Sequence, residues 1–311
     1  MVSSVYDLII IGAGPAGLTA SIYASRYQIK HLIIGQQLGG VMAWASEVEN
    51  YPGFEKISGL ELANRMAKQA KGLGGEIVSD AVAEIKIEDL IFNIFTENKK
   101  EYKAKTLIIA TGTKRQELGV KGEKEYLGKG VSYCTTCDAA FFKDKTVAMI
   151  GGANAAVMGA LHLAQTATKV YLIYRKKPLR ADPIWVERVT KNPKIKVIYE
   201  TNLVEILGNG GKVVGVKLDK LYKSQDKISL DGVFVEIGGV PGTDLAKSLG
   251  IELDGKGFVI VKPDMSTSIP GVFAAGDIAN LHGELQQIVT ACAEGATAAN
   301  SVYKYLQIDR K

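Results

Sequence analysis

The chain is poor in residues that bind metal ions. Its 311 residues include three cysteines and three histidines, and the histidines are scattered along the sequence. A structural zinc site takes four ligands, and the chain has a single Cys-x-x-Cys, so a metal site is not expected. Long runs of one charge are also missing, and the net charge of +5 is too mild to argue for nucleic acid. No window reaches the ~20 consecutive apolar residues that span a membrane.

The N-terminal segment carries no targeting pattern. Residues 1–18 are apolar but lack a basic stretch, and a glycine-rich turn lies where a signal helix would continue, so no signal peptide is expected. A low cysteine content suits a reducing compartment, which favours the cytoplasm. The chain is 47% hydrophobic, which is enough to bury two ordinary domain cores.

Two of the three cysteines form one motif, Cys134-Thr135-Thr136-Cys137-Asp138. This spacing lets a disulfide close locally, and it commonly lowers the pKa of one thiol, which then attacks as a thiolate. Half of a zinc site, a structural staple and a pair of small buried residues are the alternatives. A staple over so short a loop would restrict the unfolded chain very little, so the motif favours redox chemistry.

A dinucleotide-binding turn lies near the N-terminus. Residues 6–11 form an apolar run of strand length, Gly12-Ala13-Gly14-Pro15-Ala16-Gly17 follows, and residues 18–24 suit a helix. Strand, G-x-G-x-x-G and helix in this order predict a unit that binds a pyrophosphate at the helix N-terminus. The acid expected after the second strand is missing, since residues 31–34 lead into Gly35-Gln36-Gln37-Leu38-Gly39-Gly40. Either Gln36 contacts the ribose or the loop backbone wraps the nucleotide.

A second turn of this kind follows the cysteines. Residues 146–150 form an apolar strand, and Gly151-Gly152-Ala153-Asn154-Ala155-Ala156 leads into a helix. The methyl group of Ala153 is expected to crowd a pyrophosphate at the middle glycine position. The next strand runs into Arg175-Lys176-Lys177-Pro178-Leu179-Arg180, where cations would meet a ribose 2′-phosphate. A solvated basic loop is the alternative.

Two further strands end in small and acidic residues. Residues 106–112 end in Ala110-Thr111-Gly112, and residues 271–277 end in Gly276-Asp277. An acid at the carboxyl end of a strand is well situated to accept a hydrogen bond from a sugar or ribityl hydroxyl. Asp277 is equally compatible with an ordinary turn.

Taken in order, these motifs resemble those of the low-molecular-weight thioredoxin reductases, which are flavoproteins. The similarity covers nearly the whole chain and includes Glu49-Asn50-Tyr51-Pro52-Gly53. It implies an α/β fold of two Rossmann-like three-layer dinucleotide-binding domains, the second inserted into the first. Residues 1–115 and 243–311 would form an FAD-binding domain. Residues 116–242 would form an NADPH-binding-type domain with the cysteine pair, and the protein would be a homodimer.

The resemblance also implies the cofactor-binding residues. For FAD they are Gly12, Ala13, Gly14, Pro15, Ala16, Gly17, Gly35, Gln36, Gln37, Leu38, Gly39, Gly40, Val41, Asn50, Val82, Thr111, Gly112, Gly276, Asp277, Gln286, Gln287 and Ile288. For NADPH they are Gly151, Gly152, Asn154, Ala155, Arg175, Lys176 and Arg180.

By the same resemblance, three residues have catalytic roles. Cys137 would face the flavin, and Cys134 would attack the disulfide of a thioredoxin or glutaredoxin-like partner. Asp138 would donate a proton to a leaving thiolate, although a helix N-cap is the alternative for this residue. Cys292 lies in a helical run of small residues and is expected to be a core cysteine.

Several positions depart from the family pattern. Ala153 replaces a glycine, Tyr174 replaces a histidine, and Gln286 replaces an arginine. Ala153 and Tyr174 lie in the nucleotide-binding region of the second unit, so they affect which electron donor is expected. NADPH is favoured because cations remain after the strand, and ferredoxin, which some relatives use, is the alternative. The third hypothesis is a flavin-binding module or oxidase without disulfide reductase activity.

Overall fold

The computed structural model describes residues 5–283 and 285–308. Their contacts divide the chain into two units. Residues up to Ala43, residues 47–114 and residues from Val240 onward form the first, and residues 44–46 and 115–239 form the second.

The secondary-structure elements alternate along most of the chain. In order they are β1 (Tyr6–Ile11), α1 (Pro15–Arg26), β2 (His31–Ile34), a 3-10 turn (Gly40–Trp44), α2 (Gly59–Gly72), β3 (Glu76–Val78), β4 (Val82–Glu88), β5 (Ile91–Thr96), β6 (Glu101–Ile109), β7 (Thr113–Arg115), β8 (Val131–Ser132), α3 (Thr135–Asp138), a 3-10 turn (Ala139–Phe142), β9 (Thr146–Ile150), α4 (Asn154–Thr166), β10 (Lys169–Ile173), α5 (Pro183–Lys191), β11 (Ile195–Ile198), β12 (Leu203–Gly208), β13 (Val213–Tyr222), β14 (Gln225–Ser229), β15 (Gly232–Val235), β16 (Gly239–Pro241), α6 (Asp244–Ser248), β17 (Val272–Ala274) and α7 (Ile288–Ile308).

The first unit is built on a seven-stranded sheet in the order β3-β2-β1-β6-β5-β4, with β17 also paired to β6. Strands β1, β2, β3, β6 and β17 pair in parallel. Strand β5 pairs antiparallel with both β6 and β4. Leu8, Ile9 and Ile10 of β1 are fully buried. A central parallel strand is covered on both faces, which explains why its sequence is apolar without alternation.

The helices of this unit begin at recognisable signals. Pro15 opens α1, where its missing N–H costs no hydrogen bond. The hydroxyl of Ser58 accepts a hydrogen bond from the Glu61 N–H and caps α2. Helix α1 packs against both α2 and α7.

The second unit has three layers. Its central parallel sheet has the order β11-β10-β9-β15-β8, and β12, β13 and β14 form a separate antiparallel sheet. Successive residues of β9 face opposite sides: Val147 and Met149 join a core with helix residues such as Leu163, while Ala148 joins a core with the antiparallel sheet. The structure therefore confirms the α/β class, with two Rossmann-like units and the second inserted into the first.

The strand orders fix where ligands would bind. Strand β1 lies between β2 and β6, and β9 lies between β10 and β15. In open α/β sheets, ligands bind at the carboxyl ends of the strands where the strand order reverses. The residues after β1 and β9 are therefore the candidate binding regions. Within the part of the chain that is described, no helix is long and apolar enough to cross a membrane.

Candidate active site

The redox motif follows β8 in the second unit. Cys134 and Cys137 are joined in a disulfide with a Cα–Cα distance of 5.3 Å. Cys134 is the N-cap of α3, and its Sγ accepts a hydrogen bond from the Cys137 N–H at an N···S distance of 3.2 Å. After reduction, this donor would stabilise a thiolate on Cys134.

The exposure and bonding of the two cysteines can be compared with the zinc-site and buried-pair alternatives. Cys137 is exposed and Cys134 is half-buried, and because the sulfurs are bonded to each other, neither is a metal ligand in this state. Residues 5–283 and 285–308 contain no group of three or more histidines, cysteines or acids that could hold a metal ion. Asp138 is half-buried and makes no side-chain cap for the 3-10 turn that follows it.

The third cysteine lies in the first unit, on α7. The Sγ of Cys292 is 3.9 Å from the Tyr51 hydroxyl. Burial raises the pKa of its thiol. A thiol that stays protonated is a poor nucleophile, which agrees with a packing role.

The turn after β1 is held by close backbone contacts. Gly12 has φ +117°, and a Cβ there would lie 2.2 Å from the Ala110 carbonyl oxygen. A Cβ on Gly17 would lie 1.9 Å from the Gly12 carbonyl oxygen. By contrast, a Cβ on Gly14 would meet no atom within 4 Å. The space in front of the α1 N-terminus is therefore open, as a pyrophosphate site requires.

The loop after β2 runs beside this turn. A Cβ on Gly35 would lie 2.6 Å from the Ala13 nitrogen, and the Gly39 N–H donates to the Ala13 carbonyl oxygen at 2.8 Å. A Cβ on Gly40 would be 3.5 Å from the Gly14 Cα. These contacts bring the loop backbone to the open space, which favours wrapping by the backbone. The side chains differ in exposure: Gln36, Gln37 and Val41 are exposed and Leu38 is half-buried.

The end of β6 meets the segment that re-enters the first unit. The Thr111 hydroxyl donates to the Gly242 carbonyl oxygen at 2.9 Å, and the Gly242 N–H donates to the Gly112 carbonyl oxygen at 2.9 Å. Gly242 was not among the residues expected at the site. Val82 lies at the start of the edge strand β4, which is two strands away from β6 in the sheet.

The C-terminal motifs join the same region. A Cβ on Gly276 would lie 3.0 Å from the Ala16 Cβ, so the turn after β17 packs on the start of α1. The Gln286 side-chain amide donates to the Asp277 carbonyl oxygen at 3.3 Å. The Asn50 side-chain amide donates to the Gln287 side chain at 2.9 Å, and Ile288 begins α7.

Asp277 lies beside a buried acid that the sequence motifs do not include. Glu294 is 4% exposed, and it accepts hydrogen bonds from the Gly276 N–H at 2.6 Å and from His282 Nδ1 at 2.5 Å. Burial, and secondarily the negative charge of Glu294, raise the pKa of Asp277 to about 6. The sequence feature that could have pointed to Glu294 is that it is a single acid among the small residues 291–296 of α7.

The turn after β9 is equally tight. Gly151 has φ +142°, and a Cβ there would lie 2.1 Å from the Glu236 carbonyl oxygen. A Cβ on Gly152 would lie 2.4 Å from the Tyr174 ring. The basic loop folds back onto the turn, because the Arg180 N–H donates to the Gly152 carbonyl oxygen at 2.7 Å.

Ala153 takes the same position in this turn as Gly14 takes in the first. Ala153 caps α4 with φ −98° and ψ −178°, and Gly14 caps α1 with φ −78° and ψ −175°. The Ala153 methyl group therefore occupies, in its own turn, the place that corresponds to the open space at Gly14 in the first turn. The residues around this space are accessible: Arg175, Lys176, Arg180 and Ala155 are exposed and Asn154 is half-buried, with its side chain hydrogen-bonded to Asp182.

A half-buried ion pair lies at the end of β15. A guanidinium nitrogen of Arg115 is 3.6 Å from a carboxylate oxygen of Glu236. Burial raises the pKa of Glu236 to about 7, although Arg115 opposes the shift. Sequence reasoning missed this pair, because Arg115 ends the short strand β7 and Glu236 follows the apolar strand β15.

Comparison with known proteins agrees with this geometry. The profile of the family described as pyridine nucleotide-disulphide oxidoreductase matches residues 6–295. A thioredoxin reductase of Listeria innocua is 42% identical over 305 residues, covering 97% of this chain and 94% of the relative. The crystal structure of the Lactococcus lactis thioredoxin reductase is similar with a TM-score of 0.92 and 38% identity, covering 97% of this chain and 99% of that one. A ferredoxin-flavin thioredoxin reductase from Clostridium acetobutylicum is similar with a TM-score of 0.53 and 31% identity, covering 97% and 98%. The chain therefore belongs to the low-molecular-weight thioredoxin reductase family of the pyridine nucleotide-disulphide oxidoreductases.

Proposed function

We propose that the chain is a thioredoxin-disulfide reductase that passes two electrons from NADPH through FAD and the Cys134–Cys137 pair to thioredoxin or a similar small redox protein. The observation that carries this proposal is the disulfide between Cys134 and Cys137. It lies in a chain with two dinucleotide-type turns, one after β1 and one after β9. Relatives named thioredoxin reductases support the choice of substrate.

The residues of the first unit fit FAD. The open space at Gly14 suits a pyrophosphate at the α1 N-terminus, and the Asp277 carboxylate can accept a hydrogen bond from a ribityl hydroxyl. FAD, when bound, supplies two-electron exchange between a donor and the disulfide. We assign FAD to residues 1–115 and 243–311, and the nicotinamide nucleotide to residues 116–242.

The cysteine pair carries out thiol–disulfide exchange. In the reduced pair, the Cys134 thiolate attacks one sulfur of the substrate disulfide, which forms a mixed disulfide and releases one substrate thiolate. Cys137 then attacks the Cys134 sulfur, re-forms the Cys134–Cys137 bond and releases the second thiolate. Asp138 follows Cys137 directly and donates a proton to a leaving thiolate. The substrate gains two electrons and two protons in all.

NADPH is the proposed donor because exposed cations follow β10. Arg175, Lys176 and Arg180 supply charge for a ribose 2′-phosphate. The second candidate is a ferredoxin-type donor. One observation favours it: a methyl group, that of Ala153, replaces a glycine hydrogen in the turn after β9. The similarity to a ferredoxin-flavin thioredoxin reductase also supports it.

Anaerobic mixing with nucleotide tests the donor. NADPH is expected to bleach the flavin absorbance of the purified holoprotein, and the Cys134→Ser protein is expected to bleach as well because its defect lies after the flavin. Cys292→Ser serves as the control and should bleach and turn over like the wild type. Flavin that stays oxidised with NADPH but bleaches with reduced ferredoxin would replace NADPH by the second candidate.

The assembly and location complete the proposal. By family resemblance we propose a homodimer in the cytoplasm. Sedimentation of the holoprotein tests the first point, and a monomer at micromolar concentration would contradict it.

A further inference from the structure

Glu294 joins two parts of one loop to helix α7. The sheet ladder between β17 and β6 ends with the Ala275 N–H, which donates to the Ile109 carbonyl oxygen at 3.0 Å. The next N–H, that of Gly276, donates to Glu294 at 2.6 Å instead. The second carboxylate oxygen of Glu294 is 2.5 Å from His282 Nδ1.

The contacts around Glu294 leave it little freedom. On the same face of α7, Ala291 lies beside Gly276, since a Cβ on Gly276 would be 3.7 Å from the Ala291 Cβ. A Cβ on Gly295 would lie 2.1 Å from the Ala16 carbonyl oxygen. Helix α7 is therefore pressed against the start of α1, and the Glu294 carboxylate is held at the turn that carries Asp277.

A buried carboxylate is costly unless its oxygens are hydrogen-bonded. Glu294 is 4% exposed, and each of its oxygens has a partner in this loop. The Gly276 N–H in turn needs an acceptor, because a buried backbone donor without one is strongly disfavoured. The two requirements satisfy each other, so the Glu294 side chain helps to hold the loop against α7.

The charge of Glu294 also acts on Asp277. Among described residues that line the small cavity at this turn, the titratable ones are Asp277, His282 and Glu294. Cys292 lies two residues away on α7, and the adjoining start of α1 contributes Ala16. Burial, followed by the negative charge of Glu294, raises the pKa of Asp277.

We propose that Glu294 is a positioning residue for the flavin site. Its hydrogen bonds with Gly276 and His282 hold the loop against helix α7, and they thereby set both the position and the charge state of the Asp277 carboxylate. The inference rests on the proposed function, because it assumes that Asp277 contacts FAD. An ionised Asp277 accepts a hydroxyl hydrogen bond more strongly than a protonated one. FAD affinity should therefore weaken as the pH falls through about 6, where Asp277 becomes protonated.

The test is the affinity of the deflavinated full-length protein for FAD, measured by flavin fluorescence from about pH 5 to about pH 8. Glu294→Ala should bind FAD at least about tenfold more weakly at neutral pH, because the Gly276 N–H loses its acceptor. Glu294→Gln keeps an acceptor and should stay within about threefold of wild type at about pH 8. In Glu294→Gln the pH at which FAD affinity is half lost should fall by at least about half a unit, because Asp277 loses a neighbouring negative charge.

Glu61→Gln is the matched control, an acid-to-amide change on the exposed face of α2 in the same unit. It should reproduce the wild-type affinity and midpoint. If Glu294→Ala does not fold, the midpoint of Glu294→Gln decides alone. Wild-type affinity in Glu294→Ala, or an unchanged midpoint in Glu294→Gln, overturns this inference only. A wild-type protein that binds no FAD overturns the proposed function along with it.

Discussion

Replacing Ala153 by glycine is expected to tighten the binding of NADPH and NADH alike. The Ala153 methyl group lies at the α4 N-cap, in the position that glycine takes at the α1 N-cap. Both nucleotides carry the same pyrophosphate, so a methyl group that crowds it weakens both. The ribose 2′-phosphate is not involved, and the ratio of the two affinities should stay constant.

The magnitude follows from the cost of the extra methyl group. Overpacking of this kind costs about 1–3 kcal/mol, so removing it should lower each apparent Kd at least about fivefold. Opposing effects are small. At an N-cap without a side-chain hydrogen bond, glycine is at least as good as alanine, and φ −98° is accessible to every residue. The gain in affinity is therefore not offset by a weaker helix.

The assay is the nucleotide dependence of anaerobic flavin bleaching in the wild type, Ala153→Gly and Ala153→Val. Affinity should rise from valine to alanine to glycine for both nucleotides. An unchanged affinity in Ala153→Gly would show that the methyl group does not contact the nucleotide. Absence of bleaching in all three proteins would refute NADPH as the donor.

Three further predictions concern the cysteine pair, the basic loop and the charged pair. Cys134→Ser or Cys137→Ser should each abolish turnover of a thioredoxin disulfide, because the two thiols act as a unit; measurable turnover in either variant would contradict the relay. Neutralising Arg175 and Arg180 together should raise the KM for NADPH far more than that for NADH in steady-state assays, and equal effects would argue for a solvated loop. Glu236 has a raised pKa, so the folded state holds its proton more tightly than the unfolded chain, and stability should fall as the pH rises from about 4.5 to about 7. The contribution is about 3 kcal/mol. In urea unfolding the wild type should show this slope and Glu236→Gln should lack it, and equal slopes in the two proteins would show that the Glu236 carboxyl titrates normally.

The elements that position the site follow from local sequence. The apolar run of residues 6–11 is strand β1, and residues 146–150 are strand β9. Each is followed by a glycine turn and a helix, and the close approach of Gly17 to Gly12 is the contact that the motif predicts. These features could be predicted because strand, turn and helix follow one another directly in the sequence.

The contacts that tune the site could not be predicted in the same way. Glu294 meets Gly276 across 18 positions of sequence, through the packing of α7 against α1. The Arg115–Glu236 pair depends on two distant segments that meet only in the folded unit. Tertiary packing buries Glu294 and half-buries Glu236. Neither the sequence neighbours of these acids nor the periodicity of their elements encode that burial.

The central claim is that the cysteine pair delivers electrons to thioredoxin, and a single turnover tests it most directly. The holoprotein is reduced with dithionite, freed of excess reductant and mixed anaerobically with oxidised thioredoxin. The account predicts that thioredoxin dithiols form in the wild-type protein and that none form in the Cys134→Ser protein. Thioredoxin that stays oxidised with the wild-type protein, while oxygen readily reoxidises the flavin, would contradict the account and indicate an oxidase or a flavin-binding module.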